Sequence, residues 1–402
     1  MPIEAKSWAT SSAGRVLFGA GVVQRTGLVA SRLGSRVLVC TDSVLLGAGV
    51  IEPVLASLRA ASVDFDIFDG GEPEVSRITV ERAAEFARAK SPDVLIGVGG
   101  GSNLDLAKGV ALLLAHGGEL SDYYGESLVP GPTLPVVAIP TTAGTGSEVT
   151  PVAVFGDERR KLKAGVSSTY LLPAWAIDDP QLTLTCPPSV TAHSGLDALS
   201  HAIESLCTAS YDTFAEDLEL GRIFSGKNAY SDALAMKAVG LIATSLRNAV
   251  SNGHDLVARE QMMLASLLAG MAFGAAGTGV THALQYPIGA MTKTPHGLGI
   301  ALMLPAVMRF NAAVRVQELA QIARLLEPAL DLDDAAAALE AADAVARLGT
   351  DVGVGVGLAS IGITSADIAG IARDAIGIER LIRLNPRPLT VADLELILAS
   401  AL

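Results

Sequence analysis

Short runs of apolar and β-branched residues punctuate the first part of the chain, at "RVLVCT" (36–41), "DFDIF" (64–68), "DVLIGV" (93–98) and "PVVAIP" (135–140). Amphipathic stretches such as "TVERAAEFARAK" (79–90) lie between them. Strands that alternate with helices in this way predict βαβ units and a parallel sheet. Near residue 180 the pattern changes, and long alanine- and leucine-rich stretches of helical period take over. The expectation is an α/β N-terminal domain with a parallel sheet over residues 1–180, followed by an all-α domain over 181–402. Helix starts are read at Ser189 behind a proline pair, at Ser231 or Asp232, and at Thr390, whose partner Asp393 stands three residues on. The low-complexity stretch 326–362 reads as a helix and a loop, because its alanines are strong helix formers. No repeat of solenoid period is present.

Composition narrows the function. A chain of 402 residues exceeds what one hydrophobic core supports, which agrees with two domains. Half of the residues are apolar and only 4% aromatic, a mixture suited to packed helices and parallel strands. The net charge of −13 provides no electrostatic footprint for nucleic acid or an anionic membrane surface, so a small-molecule partner is expected. The opening "MPIEAKSWATSSAGRVLF" lacks a basic segment followed by an apolar one, and no uninterrupted apolar run nears the roughly 20 residues of a spanning helix. Cys40, Cys186 and Cys207 are scattered, without a CxxC pair, which fits a reducing cytoplasm.

Three groups of residues carry chemistry. In "GVGGGSNLDLAKG" a strand ends in Gly97, Gly99, Gly100, Gly101 and Ser102 ahead of a helix bearing Asp105 and Lys108. Bare backbone at a helix N-terminus suits a phosphate, although a tight strand-to-helix turn would use the same glycines. A second loop, "PTTAGTGSEVT", offers Thr141, Thr142, Thr145 and Thr150 after another apolar strand, at the sheet end where nucleotides bind. Asp42, just past "RVLVCT", is placed either to accept from an adenosine ribose or to cap the helix that follows.

The third group is histidine. Asp197 and His201, at i and i+4, share a helix face, and with His282 and His296 they compose a three-imidazole, one-carboxylate metal set. Any one of these taken alone reads equally as a packed histidine. His193, a turn before Asp197, is placed to reach that carboxylate or a substrate, and Glu204, three after His201, to orient that imidazole. His116 and His254 read as surface residues.

With "GGGSNLDLAK", "TTAGTGSEVT", "DPQLTLTCPPSVTAHSGLDALSHAIE", "GKNAYSDALAMKA", the segment from His282 to Gly297 and "NPRPLT" occurring in that order, the chain resembles the iron-containing, or group III, alcohol dehydrogenases over essentially its whole length. The resemblance implies a Rossmann-like N-terminal domain that binds NAD, a helical C-terminal domain that holds Fe2+ (or Zn2+ or Mn2+), and an active site in the cleft between them. It puts metal ligands at Asp197, His201, His282 and His296. It puts the cofactor on Asp42, Gly99, Gly100, Gly101, Ser102, Asp105, Thr141, Thr142, Thr145, Thr150, Lys163 and Leu182, with Asp42 favouring NAD over NADP. A homodimer or higher homo-oligomer is the expected assembly.

Departures from the family pattern matter as much. Many alcohol-oxidising members carry a second histidine four residues after the third ligand, where this chain has Tyr286; the hydroxyacid–oxoacid transhydrogenase branch is similar there. Tyr286 and His193 are therefore the catalytic candidates. Val152 replaces a polar residue common beside the cofactor, and Asn103 is unusual after "GGGS". The expected activity is NAD- and metal-dependent hydride transfer on a small alcohol, diol or hydroxy acid. A transhydrogenase-like activity, a dehydroquinate-synthase-like lyase and a nucleotide-binding regulator without turnover are the alternatives; the lyase would carry glutamate where Asp197 stands.

Overall fold

Strand β2 (Arg36–Cys40) shows why the sheet forms. Alternate residues of a strand point to opposite faces, and here both faces are apolar. Leu38 and Cys40 join Val80 and Ala84 of the helix Arg77–Lys90 and Leu106 and Val110 of the helix Gly101–His116 in one buried cluster. Val37 and Val39 join Val29, Val54 and Leu58, from the helices Thr26–Leu33 and Glu52–Ala60, in another. The computed structural model describes residues 7–159, 162–214 and 221–402.

The main sheet contains β1 (Val16–Phe18), β2, β3 (Asp64–Phe68), β4 (Val94–Gly99), β6 (Val136–Pro140) and β9 (Trp175–Asp178) in the order β1-β9-β6-β4-β2-β3, with every pairing parallel. The chain leaves β2 to one side for β3 and returns to its other side for β4, so the order switches between β2 and β4. Ligands of such sheets bind beyond the carboxyl ends of the strands at that switch. A small second sheet pairs β5 (Gly125–Glu126) with β8 (Leu162–Ser167), and β8 with β7 (Val152–Asp157). These strands belong to a compact unit formed by Ser11–Cys186 and His254–Met263.

The other unit contains Pro187–Gly253 and Leu264–Leu402, with the residues before Ser11, and it is built from helices. The fold class is the expected one, a parallel-sheet domain followed by a helical part, but two helix starts differ from expectation. The helix Pro188–Cys207 begins behind Pro187, and Ser189 lies within its first turn without capping; proline at the first helical position is already bent to the helical φ. The helix Ala229–Ser251 is capped by Asn228, whose side chain accepts from Tyr230 and Ser231 while Ser231 answers the Asn228 N–H. Thr390 and Asp393 form the expected reciprocal cap of Val391–Ser400. Leu256–Ala276 and His296–Val314, interrupted by Arg259 and Arg309, are apolar enough by length and composition to cross a membrane; 61% and 67% of their most apolar windows are buried within the protein, as in core helices.

Candidate active site

Two helix starts and one helix middle bring the histidines together. Asp197 and His201 occupy adjacent turns of Pro188–Cys207; His282 is the third residue of Val280–Thr292; His296 opens His296–Asn311 behind Pro295. Gly297 lets the last of these helices press against the first, because a Cβ there would lie 2.2 Å from the His193 carbonyl oxygen. Asp197 Oδ1 stands 3.8 Å from Nε2 of His201, of His282 and of His296. Asp197, His201 and His282 are buried, with donor atoms all within 4.8 Å of one another, whereas the His296 side chain keeps 28% of its exposure.

That spacing suits a shared ion. Two donors each about 2.1 Å from one metal lie roughly 3–4 Å apart at ordinary coordination angles. The Nδ1–H of His282 donates to Glu204 Oε2, while the Thr281 N–H donates to Glu204 Oε1 across 2.8 Å. Nε2 of His282 is thereby left as the lone-pair nitrogen; it is buried and makes no hydrogen bond among the described residues. The expectation that Glu204 orients His201 is corrected: the carboxylate serves His282, and His201 instead stacks on Phe273 with ring centroids 4.3 Å apart. One carboxylate and three imidazoles, with a tautomer fixed from behind, fit a divalent transition metal.

Tyr286 lies one helical turn beyond His282, and its buried hydroxyl accepts from Arg380 Nη2 across 3.4 Å. His193 is half-buried, and burial lowers its imidazole pKa, which favours the neutral ring. His254 is exposed; His116 is half-buried and donates from Nε2 to the Gly131 carbonyl across 3.0 Å.

The other unit gathers the remaining candidates at the carboxyl ends of β2, β4 and β6. Gly99 has φ of 144°, which only glycine adopts readily, and a Cβ there would meet Asn103 Nδ2 at 2.2 Å. Gly100 precedes the helix Gly101–His116, whose first N–H groups have no intrahelical acceptor. A Cβ on Gly101 would meet Thr145 at 2.7 Å, so the two loops touch there. Ser102 Oγ accepts from the Glu74 N–H.

Asp42 is a helix cap: Oδ1 accepts from Val44 and Leu45, and Oδ2 from Asn103 Nδ2 across 2.7 Å. Asn103, read only as unusual in the sequence, is thus the residue that fixes this carboxylate. Asp105 and Lys108 tie the two loops together from beneath. Asp105 accepts from Ser147 Oγ and the Val154 N–H, and Lys108 Nζ donates to the carbonyls of Thr150 and Val152. Thr141 and Thr150 are buried and Thr142 is half-buried; Leu182 belongs to the apolar cluster with Val98 and Ile139. Lys163 Nζ pairs with Glu74 Oε1 at 2.7 Å. Burial drives Lys108 down to about 8, and raises the carboxyls of Glu148, which interacts with Lys108, and of Asp178, which interacts with Glu148.

The family profile described as "Iron-containing alcohol dehydrogenase" matches residues 13–180, and "Fe-containing alcohol dehydrogenase family, C-terminal" matches 191–402. NAD-dependent methanol dehydrogenase of Bacillus methanolicus is 36% identical over 388 residues, covering 96% of this chain and 97% of that one. The mitochondrial hydroxyacid-oxoacid transhydrogenase of Bos taurus is 33% identical, over 94% of this chain and 87% of that one. A crystal structure of 1,3-propanediol oxidoreductase superposes with a TM-score of 0.91 at 34% identity, covering 98% of this chain and all of that one.

Proposed function

The chain is a member of the iron-containing alcohol dehydrogenase family, and from that premise we propose that it is an NAD- and metal-dependent alcohol dehydrogenase or aldehyde reductase. Its reaction moves hydride between the carbinol carbon of a small alcohol, diol or hydroxy acid and the nicotinamide: alcohol and NAD+ become carbonyl compound, NADH and one proton. The observation that carries this reading is Asp197 Oδ1 at one common distance, 3.8 Å, from three imidazole nitrogens. A divalent cation held there supplies Lewis acidity, and NAD supplies the hydride acceptor.

The chain's own residues do the holding and aiming. Asp197, His201, His282 and His296 hold the cation, and Glu204 keeps the His282 proton on Nδ1. Four protein ligands would complete a tetrahedral zinc site, so a metal with more coordination positions, Fe2+ ahead of Zn2+ or Mn2+, is the assignment. Residues 1–180 bind the dinucleotide through Gly99, Gly100, Gly101 and Ser102, with Thr141, Thr142, Thr145, Thr150, Lys163 and Leu182 around it. Asp42, held by Asn103, turns a fixed negative charge toward the ribose and disfavours a 2′-phosphate. His193, whose burial favours the neutral ring, is the proton acceptor, and Tyr286 is the hydrogen-bonding group for substrate. Three thiols outside any disulfide are compatible with a cytoplasmic enzyme, for which we propose a homodimer or higher homo-oligomer.

The similarity to the transhydrogenase, with Tyr286 as noted, supports hydroxyacid–oxoacid transhydrogenase-like turnover as the second reading. The test is a screen of purified protein, reconstituted anaerobically with Fe2+, for NAD-linked oxidation of short alcohols, diols and hydroxy acids. Bound metal and bound NAD without turnover of any of them would sink the proposal.

A further inference from the structure

Among the described residues, Arg380 is a cation without a carboxylate. Its neighbour Glu379 is engaged with Arg222, Nη2 to Oε1 at 3.3 Å, and among the described residues no acid pairs with Arg380 itself. Its guanidinium lies over the Phe224 ring, 5.4 Å from the centroid, and its one hydrogen bond among the described residues goes to the Tyr286 hydroxyl, at the long end of the range. Phe224 is fully buried, and its carbonyl also accepts from Arg383 Nη2 across 2.7 Å, so the platform under Arg380 is itself anchored. A guanidinium has five N–H donors. With its face on Phe224 and a single N–H on Tyr286, most of the fork is left for an oxyanion, which a planar guanidinium takes in bidentate fashion.

The placement says which oxyanion. Tyr286 follows His282 by one turn of the same helix, about 5.4 Å along its axis, and helical side chains lean toward the helix N-terminus, which brings the phenol over the turn that carries His282. A substrate whose reacting carbon sits at the histidine cluster would reach Arg380 with the far end of a short chain. The protein's net charge of −13 repels anions in general, so a half-buried arginine without a counter-ion among the described residues beside this cluster is a directed exception.

We propose that Arg380 and Tyr286 form a carboxylate subsite, and that the preferred substrates are short hydroxy acids and the corresponding oxo acids, with the carboxylate remote from the reacting carbon. This rests on the oxidoreductase reading above and narrows it. Arg380 contacts the carboxylate through paired N–H groups, and Tyr286 turns its own O–H to a second carboxylate oxygen.

The experiment compares NADH-linked reduction of 4-oxobutanoate and of butanal, the same four-carbon aldehyde with and without a terminal carboxylate, by the metal-loaded enzyme. Wild type, Arg380→Gln and Arg380→Lys are measured, with succinate as a non-reacting competitor. The wild type should favour 4-oxobutanoate in kcat/KM by about tenfold or more. Arg380→Gln should lower that preference about 10- to 100-fold, mainly through KM, and weaken succinate inhibition in parallel, while Arg380→Lys restores part of both. A wild type that favours butanal, or a preference unchanged in Arg380→Gln, overturns the subsite and leaves the oxidoreductase reading standing. Failure to reduce either aldehyde or to oxidise any alcohol, with metal and NADH both bound, removes that reading and the subsite together.

Discussion

Asn103 donates its side-chain N–H to Asp42 Oδ2 across 2.7 Å, and so joins the first turn after β4 to the helix cap two residues past β2. The other oxygen of Asp42 caps Ser43–Gly47, so the carboxylate is held at both ends. Asp42→Gly should relax discrimination against NADP, because it removes the hydrogen-bond acceptor and the charge that repels a 2′-phosphate. The ratio of kcat/KM for NAD to that for NADP is expected to fall by about tenfold. Glycine at a helix N-cap costs only a few tenths of a kcal/mol, so the melting temperature should move little. A ratio unchanged in the variant would leave Asp42 as a cap and nothing more.

Replacing His282 or His296 by alanine removes a proposed metal ligand and should lower metal occupancy and hydride transfer, with NADH binding on the glycine loop almost intact. His254→Ala, at an exposed position, serves as the control and should keep its metal. Elemental analysis of protein purified without oxygen, next to an NADH fluorescence titration, gives the answer. Full occupancy in both variants would eliminate the site and the Lewis-acid chemistry with it.

Glu204 stands one step back from the proposed ion. Glu204→Gln keeps the shape but removes the charge that holds the proton on His282 Nδ1, and a partner of this kind is worth about 10- to 100-fold in metal affinity. Competition with a chelator of known affinity measures it. An unchanged affinity would mean that the contact with Glu204 only packs the ring.

What could be read from sequence follows from how local each feature is. Strands β2, β3, β4 and β6 are runs of apolar and β-branched residues bounded by polar turns, and all four are visible in the sequence. Strand β1 has only three residues and β9 four, too short for a period, and the β7–β8 hairpin follows directly on the loop "PTTAGTGSEVT". Asp197 and His201 share a helix face and are visible as a pair at i and i+4. The partners of Asp42 and His282 lie 61 and 78 residues away, and that of Tyr286 lies 94 away, so only the folded chain reveals them. Asn228 is hidden as a cap for a different reason: Ser231 stands three residues on in the same reciprocal cap, and both residue types favour caps.

Gly297 is a steric requirement of the cluster of Asp197 and the three histidines. A methyl group in its place would lie 2.2 Å from the His193 carbonyl oxygen and 3.4 Å from the Asp197 Cβ, so Gly297→Ala must push the helix that begins at His296 away from Asp197. Overpacking of this kind costs about 1–3 kcal/mol, and the displaced imidazole should also weaken metal binding. Gly370→Ala, on the helix Ile368–Ile376 where nothing lies within 4 Å of the added carbon, should be neutral or slightly stabilising. Thermal melts with and without added metal separate the two effects, and a Gly297→Ala protein as stable and as metal-replete as wild type would contradict the close contact.

The buried charges beneath the loops make stability depend on pH. Glu148 is 2% exposed, and burial raises its pKa from 4.5 to about 7 although the Lys108 ammonium pulls the other way; Asp178, fully buried, is raised by burial and then by the Glu148 charge. An acid whose pKa is higher in the folded than in the unfolded chain binds more protons when folded, so its contribution is complete below the unfolded value and is lost as pH rises through the folded one. For Glu148 that window runs from about 4.5 to 7. Glutamine keeps the volume and cannot ionise, so the melting temperature of Glu148→Gln minus that of wild type should increase steadily from pH 5 to pH 7.5. Comparing the difference across pH, rather than at one pH, separates ionisation from any packing change that the amide introduces. Parallel curves would show that Glu148 is already ionised at pH 5, and would place the neutralising proton of this cluster on Asp178 instead.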